Sequence, residues 1–354
     1  MDKYKQSSPL AALCLAVVLL LPFAGLQAAA ENLFESEVVV TDQSPAVRAG
    51  AMKTALRQVL VRVAGQDAIL DTDPAISLLK DPAQLVQQYR YYTVPESEPP
   101  VLKMWVRFDG EAVRQALQQQ GVSYWGAERP DTLVWLAVED RGKRYVVAAD
   151  DGTEVYRQVE QAARQRGVPV LFPLMDLEDQ SQVRFSDIWG GFFDNVLAAS
   201  QRYNPQAVLI GRLNRSPSGA WSSRWQLEVA GKPSSWSDSH PQLASLAQQG
   251  IDDTADILAS RFAVSQAGGN LNAVSISVTG VDSLTDYARL GDYLAGLTAV
   301  VAVQVQKVTG NDVHYVLQLN GSLQDLTHTV SIGTVLEPLS PLSADTPGSF
   351  RLRQ

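Results

Sequence analysis

The strongest constraint on the fold is an unbroken apolar run at residues 133–138. A strand with one face in water alternates apolar and polar residues, so an unbroken run indicates burial on both faces. Pro130 lies ahead of the run, where it removes no hydrogen bond from a central strand. We therefore expect a central strand that is covered on both sides.

Two further apolar runs follow at helix-length intervals, and helical patterns separate them. Apolar strands that alternate with helices predict a parallel sheet with right-handed crossovers. Alternating residues then add an antiparallel edge strand, and a long helix closes the unit. The sequence predicts a β-α-β-α-β-β middle domain over residues 127–265. Its expected elements are strand 129–140, return strand 144–149, helix 153–166, strand 168–172, helix 187–203 (capped by Ser186), strand 207–213, edge strand 221–229 and helix 243–262.

Residues 31–126 are predicted to form a small α+β domain. Its clearest helix begins at Ser44-Pro45, because serine is a favoured helix cap and proline is tolerated at the first helical position. Gly65 ends this helix. The other expected elements are strands 37–40, 89–94 and 101–108, short helical pieces within 71–88, and a helix from Asp109 to Gln120. Residues 124–129 would form the domain boundary.

Residues 271–338 show a β-α-β-β-α-β order, which is typical of a ferredoxin-like domain. Val274, Ile276 and Val278 form one face of its first strand, and the last strand is expected at 334–336. A linker at 266–270 precedes this domain. The Ser- and Pro-rich residues 339–354 are expected to be a flexible tail. The fold class is thus a combination of α+β and α/β units.

The first 30 residues resemble a secretory signal peptide. Lys3 and Lys5 precede an apolar segment at 10–21, and the small residues 28–30 suit cleavage after Ala30. An uncleaved anchor and a lipoprotein built on Cys14 are the alternatives, but Leu13 is unsuited to the lipoprotein site. We expect a periplasmic mature protein without cysteine, since Cys14 is the only one in the chain.

The formal net charge of −9 argues against a nucleic-acid partner, because phosphate backbones are bound by clustered Lys and Arg. One helix, 45–64, has a basic face formed by Arg48, Lys53, Arg57 and Arg62. That face suggests an acidic partner or peripheral contact with lipid headgroups, although a face exposed to water explains it more simply.

The chain lacks the motifs of the common catalytic and cofactor-binding sites. A hairpin and not a glycine-rich turn follows the first middle-domain strand, so no phosphate-binding loop is expected. Its three histidines lie far apart in the sequence, and no G-x-S-x-G motif occurs. Asp176, Glu178 and Asp179 could hold calcium, but the glycine and terminal glutamate of a calcium loop are missing, so a loop exposed to water is the simpler interpretation. No catalytic residue, cofactor or metal ligand is predicted.

One candidate ligand site remains at the carboxyl ends of the middle-domain strands, where open α/β sheets bind ligands. Asp140, Asp176 and Arg212 are expected at these ends. The alternative is that strand ends carry charge because they meet water. The seven tryptophans do not predict a sugar-binding surface, because only Trp125 and Trp236 fall outside the apolar patterns.

Three segments carry a resemblance to known proteins: AVRAGAMKTALRQVLVRVAG at 46–65, RPDTLVWLAVED at 129–140 and AVLIGRL at 207–213. Together with the signal peptide they resemble an uncharacterised family of exported proteobacterial proteins, domain of unknown function 2066, over nearly the whole mature chain. The middle domain also resembles the N-terminal domain of TolB and the lipoprotein activators of cell-wall synthases. The second resemblance implies protein binding, and the first implies no site residue.

These observations favour a non-enzymatic periplasmic protein that binds another envelope component, most simply another envelope protein. The alternative function is a hydrolase or small-ligand binder that uses the strand ends of the middle domain. Membrane-surface association through the basic helix face is a third hypothesis. The sequence predicts neither the partner nor the oligomeric state.

Overall fold

The computed structural model is a mixed α and β protein with three sheets, as the sequence predicts. We refer to the parts of the chain around these sheets as the N-terminal module (residues 32–126), the middle module (127–263) and the C-terminal module (271–353). The predicted signal peptide, residues 1–30, lies outside the described residues. The structure describes residues 32–94, 99–119, 121–263, 271–297, 299–319, 322–333, 335–339 and 348–353.

In the N-terminal module, one long helix packs on a three-stranded antiparallel sheet of order β1-β3-β2. The Ser44 hydroxyl accepts a hydrogen bond from the Val47 amide at the start of this helix, and Gly65 ends it in the left-handed conformation. Every third or fourth helix residue, including Leu56 and Val59, is fully buried against the sheet. The elements are β1 (Glu35–Val39), α1 (Pro45–Ala64), α2 (Asp73–Leu78), β2 (Val86–Val94), β3 (Val101–Phe108) and α3 (Gly110–Gln119).

The middle module is built on a sheet of order β5-β4-β7-β8-β9. The apolar run lies in β4, which pairs in parallel with β7 and with the short β6. β8 and β9 continue the sheet in antiparallel pairing. The elements are β4 (Thr132–Asp140), β5 (Lys143–Val146), α4 (Glu154–Arg166), β6 (Val170–Leu171), α5 (Leu177–Gln182), α6 (Phe185–Gly190), α7 (Phe193–Ser200), β7 (Ala207–Arg215), β8 (Trp221–Val229), β9 (Lys232–His240) and α8 (Leu243–Phe262).

Helices cover the two faces of this sheet to different extents. On one face α4 and α8 pack against β4, β7 and β8, where Leu136, Leu209 and Trp225 are buried. On the other face α6 and α7 pack against β4 and β7, where Trp135 and Ile210 are buried. The six residues of the apolar run are therefore all buried, as predicted. The part of the second face formed by β8 and β9 belongs to neither apolar core.

Three predictions for the middle module need correction. The helix expected at 187–203 is divided, because Gly191 has a φ of 85° and ends α6. The strand expected at 168–172 has only two paired residues. The edge strand is β9 and not 221–229, since β8 pairs on both sides.

Two tryptophans expected outside the apolar patterns belong to the middle-module core. Trp125 is 1% exposed, and Trp236 packs against the same core from a position opposite Trp225. The local sequence does not indicate the β8–β9 pairing or the core contacts that cover these two rings. The Trp125 ring is therefore not available as a sugar-binding surface, and the Trp236 ring is partly covered by the core.

The C-terminal module contains the predicted β-α-β-β-α-β order with one addition. Its sheet has the order β11-β12-β10-β14-β13, in which β14 pairs in parallel with β10 and antiparallel with β13. Residues 348–352 thus form a strand inside the sheet, so the prediction of a flexible tail over 339–354 is wrong for these five residues; residues 340–347 lie outside the described residues. The elements are β10 (Asn272–Thr279), α9 (Leu284–Gly296), β11 (Val300–Thr309), β12 (Asp312–Leu319), α10 (Leu323–Ile332), β13 (Leu336–Pro338) and β14 (Gly348–Leu352).

The N-terminal and middle modules meet where the C-terminal ends of α1 and α4 converge. Arg62, in the last turn of α1, donates to the carbonyl of Gln165 in α4 at 2.8 Å. Arg166, the last residue of α4, donates to the carbonyl of Gly65 at 2.9 Å. Each helix thus supplies a cation to the carbonyl end of the other, where the helix dipole is negative.

Arg129 lies between these two helix ends and has used all its hydrogen-bond donors. It donates to five carbonyl oxygens at 2.8–2.9 Å, and its guanidinium lies 4.0 Å from the Trp125 ring. Burial and the charge of Arg62 lower the pKa of Arg129 to about 9. The five acceptors are the carbonyls of Arg62, Trp125, Gly126, Arg166 and Gly167.

This junction changes the interpretation of the basic face predicted for α1. Arg62 is only 6% exposed, and burial lowers its pKa to about 10. It therefore joins two modules and does not extend the face of Arg48, Lys53 and Arg57. Across the described residues, no helix is both long enough and apolar enough to cross a bilayer.

Candidate functional site

The three residues predicted to form a ligand site have separate partners in the structure. Asp140, at the end of β4, lies 3.5 Å from Nη1 of Arg215 on the neighbouring strand β7. Asp176 caps α5, and Arg212 contacts α6. Among the described residues, no contact joins these three side chains, and each has its own partners.

Asp176 belongs to a network that fastens α5 to the segment after α7. Its carboxylate accepts from the amides of Glu178 and Asp179 and pairs with Arg202. The Arg202 guanidinium is the main cause that lowers the pKa of Asp176 to about 2. Asp179 is fully buried and accepts from Arg202, the Met175 amide and the Tyr203 hydroxyl. The Arg202 guanidinium thus pairs with two of the carboxylates that a calcium ion would need, and the network stabilises the local fold.

Arg212 projects from β7 toward the end of α6. Its Nη1 donates to the carbonyl of Trp189 at 2.6 Å, and its guanidinium lies 5.8 Å from the Phe193 ring. Burial and the nearby charge of Arg224 lower the pKa of Arg212 below its usual value. Within the described residues, no carboxylate is within ion-pair distance of Arg212.

A hollow of about 480 Å³ lies beside Arg212 on the second face of the sheet. The strand registers explain its composition. Arg212 of β7, Arg224 of β8 and Ser237 of β9 form one row across the sheet, and Asn214, Ser222 and Ser239 form the next row. We call these six side chains the open face. The complete lining is Trp189, Arg212, Asn214, Ser222, Ser223, Arg224, Ser237, Asp238 and Ser239.

The open face exists because β8 alternates strictly between buried and exposed residues. Trp221, Trp225 and Leu227 point into the core under α8, while Ser222 and Arg224 on the same strand are exposed. α6 and α7 cover β4 and β7 on this side but contribute no core residue over β8 or β9. The sheet therefore changes from an apolar surface to a polar one within a few strands.

Arg224 has no partner that would neutralise it. Across the described part of the chain it forms neither a hydrogen bond nor an ion pair, and it lies directly opposite Arg212 in the strand register. Like charges that face one another across a sheet are destabilising. Asp238 also lines the hollow, but it lies opposite Ser223 in the strand register and so belongs to the other face of the sheet, with Trp225 under α8. The open face is therefore a local excess of positive charge.

The chemistry available here is the binding of an oxyanion. Guanidinium groups bind carboxylates and phosphates through parallel N–H donors, and hydroxyl and amide groups add neutral donors. Among the described residues, no group of three His, Cys, Asp or Glu side chains could hold a metal ion. Arg212 is the only member of the predicted trio that lines the hollow.

Sequence reasoning missed Arg224 and the serines, although a signal for them was present. Residues 221–229 were predicted to alternate, which already places Ser222 and Arg224 on one face. The segment KPSSWSDSH at 232–240 is too polar to suggest a strand, so its serines were not assigned to the same face. Pairing with β8 is what brings them there.

Comparison with known proteins leaves the function open. A family model described as Domain of unknown function (DUF8605) matches residues 28–126, which correspond to the N-terminal module. A domain of unknown function was expected, but under another designation and over nearly the whole mature chain. No curated protein matches the chain.

Among solved structures, the C-terminal domain of LpoB from Salmonella enterica is similar to part of the chain. The sequence identity is 19% and the TM-score is 0.24, with 37% of this chain and 93% of that chain covered. Similarity at this level identifies neither the fold nor the function of this chain.

Proposed function

We propose that the protein is a non-enzymatic binding module of the cell envelope that contacts another envelope component through the open face. The observation that carries this proposal is the pair Arg212 and Arg224. These arginines line a hollow of about 480 Å³, and neither has a carboxylate partner within the described residues. Unneutralised cations in a concave polar surface favour an anionic ligand or partner.

The junction between the first two modules supports a role as a scaffold. Arg129 fixes the ends of two helices from different modules through backbone carbonyls, which hold their geometry better than flexible side chains would. A rigid body presents a binding surface with little loss of conformational entropy on association. The hydrolase alternative has less support, because Asp140 and Asp176 are each paired with an arginine.

The proposed location rests on the signal peptide predicted for residues 1–30. Cell fractionation and N-terminal sequencing test it: we expect a periplasmic or envelope-associated chain that begins at Glu31. A full-length chain in the cytosol would overturn the location and remove the reason for an envelope partner.

Site-specific photocrosslinking in intact cells tests the binding surface. A crosslinkable residue at Ser237 lies on the open face, while one at Gln161 lies exposed on α4, on the opposite side of the sheet. We expect a discrete adduct from Ser237 that is absent from Gln161. Identical adduct patterns from both positions, or no adduct from Ser237, would contradict the proposal.

A further inference from the structure

We propose that the hollow on the open face binds a phosphate group carrying two negative charges, either free or as a lipid headgroup. This inference rests on the proposed function, because it names the chemistry recognised by the same surface. It requires the two arginines to act together on one group.

The charge of the site fits a dianion better than a single carboxylate. Arg212 and Arg224 lie directly opposite one another on adjacent strands and supply two positive charges. A phosphate monoester carries about −1.5 to −2 charges at neutral pH, whereas a carboxylate carries one. One phosphate would therefore neutralise both arginines, while one carboxylate would leave a repulsive charge uncompensated. The chain as a whole carries a net charge of −9, so this pair is a local exception.

The donors of the site also exceed what one carboxylate can accept. Two guanidinium groups, three serine hydroxyls and the Asn214 amide surround the hollow, and one N–H of Arg212 is already used by Trp189. A phosphate monoester offers three terminal oxygens in different directions, whereas a carboxylate offers two in one plane. The donor-rich rows of the open face match the phosphate.

One arginine is held in place before any ligand arrives. The carbonyl of Trp189 fixes Arg212, and the Trp189 ring is itself stacked on Phe185 at 5.1 Å between ring centroids. Two carboxylates at the margin are paired, Glu139 with Arg144 and Asp140 with Arg215. The third, Asp238, lies on the other face of the sheet in the strand register. Arg212 therefore forms a fixed wall of the site, and the exposed Arg224 lies opposite it with its donors available to a ligand.

Calorimetric titration of the mature chain with inorganic phosphate at pH 8 and constant ionic strength tests the inference. We expect saturable binding that weakens roughly tenfold to a hundredfold in Arg224→Gln, since a hydrogen bond to a charged group is lost. Arg164→Gln is the matched control, because Arg164 is an exposed arginine on α4 paired with Glu160. We expect it to bind phosphate within twofold of the unmodified chain.

Monoanions and thermal stability provide the second measurement. Acetate at the same ionic strength should not saturate the site, and phosphate should raise Tm more in the unmodified chain than in Arg224→Gln. Absence of saturable phosphate binding, equal binding by Arg224→Gln, or equal saturation by acetate would each overturn the inference.

Vesicle flotation distinguishes the two sources of phosphate. Phosphatidate presents a phosphate monoester, and phosphatidylglycerol vesicles of matched surface charge present only diesters. Flotation with phosphatidate alone, lost in Arg224→Gln, supports a lipid headgroup; phosphate binding in calorimetry without flotation supports a free or soluble phosphate. Flotation that Arg224→Gln leaves unchanged would contradict binding at this site.

Two combinations of results distinguish the phosphate site from the proposed contact with an envelope component. If Ser237 crosslinks to a partner while phosphate does not bind, the open face is a binding surface of different chemistry. If phosphate binds while Ser237 gives no adduct in cells, the proposed envelope contact is wrong and the phosphate site remains.

Discussion

Arg129 and Arg224 belong to the same module but have opposite environments. Arg129 is 6% exposed and its five N–H groups meet five carbonyl oxygens. Arg224 is exposed and, in the part of the chain that the structure describes, meets no acceptor and faces another arginine. An arginine whose donors are all used stabilises structure, whereas one whose donors are unused is available to a ligand.

Within the described residues, the buried Arg129 carries its charge without a carboxylate partner. A buried ion loses its hydration, and the loss is offset only when its hydrogen bonds are satisfied. Here three of the five acceptors, the carbonyls of Arg62, Arg166 and Gly167, lie at the ends of α1 and α4, where carbonyls lack partners within their own helix. The cation and the helix ends therefore satisfy each other, and the cost of burial is shared by two modules.

Arg129→Met should produce the largest effect. It leaves carbonyls of both modules without donors inside the protein, so we expect a loss of about 3–5 kcal/mol in the free energy of unfolding. Urea unfolding measures the loss. The free energy of unfolding of Arg129→Lys should lie between those of the unmodified chain and Arg129→Met, because lysine keeps the charge with fewer donors. A loss below about 1 kcal/mol would show that the junction does not depend on these bonds.

Gly65→Ala tests the same junction without changing a charge. Gly65 has a φ of 81°, and a Cβ there would overlap the Cβ of Ala259 on α8. We expect a loss of about 2–4 kcal/mol from backbone strain and overpacking together. Gly142→Ala is the matched control, because Gly142 has a φ of 84° but nothing within 4 Å of the added Cβ. Equal losses for both variants would mean that the close packing contributes nothing.

Arg224→Gln should change stability in the opposite direction. Without a bound anion, removing one of two facing positive charges should raise the free energy of unfolding by about 0.2–1 kcal/mol. Thermal unfolding in a phosphate-free buffer measures this gain. A clear loss of stability would show that Arg224 has a structural role and would erase its contrast with Arg129.

Asp176→Asn sharpens the comparison with a third arginine, Arg202, which is neutralised by carboxylates. The pKa of Asp176 is about 2, below its ordinary value of 3.8, so the ion pair stabilises the fold above pH 4 and is lost as the pH falls toward 2. The unmodified chain should have the higher Tm at pH 6, and the difference should shrink toward pH 2. A Tm difference independent of pH would exclude the ion pair as its cause.

Local sequence predicted the elements whose signals are contained in one segment. The apolar run of β4 and the capped helix α1 are of this kind, because burial and capping leave a mark on adjacent residues. The apolar residues Phe350 and Leu352 also alternate with polar ones in β14. This signal is short, however, and the Ser- and Pro-rich residues before it indicate a flexible tail instead.

The junction and the open face could not be predicted in this way. Arg129 is recognisable as structural only when two helix ends, more than thirty residues away on either side, are known to converge. The open face depends on β9, whose polar sequence indicates a loop until β8 is paired with it. Both features depend on contacts between distant segments, which periodicity does not report.

The position of β14 has a consequence for how the chain matures. Its residues pair with β10 across about seventy positions of sequence, so the C-terminal sheet cannot close until Gly348–Leu352 has been synthesised. A product truncated before that strand would leave β10 and β13 with bare edges, which are templates for aggregation and proteolysis. We therefore expect truncation before residue 348 to make the chain more prone to aggregation and proteolysis than the full-length chain.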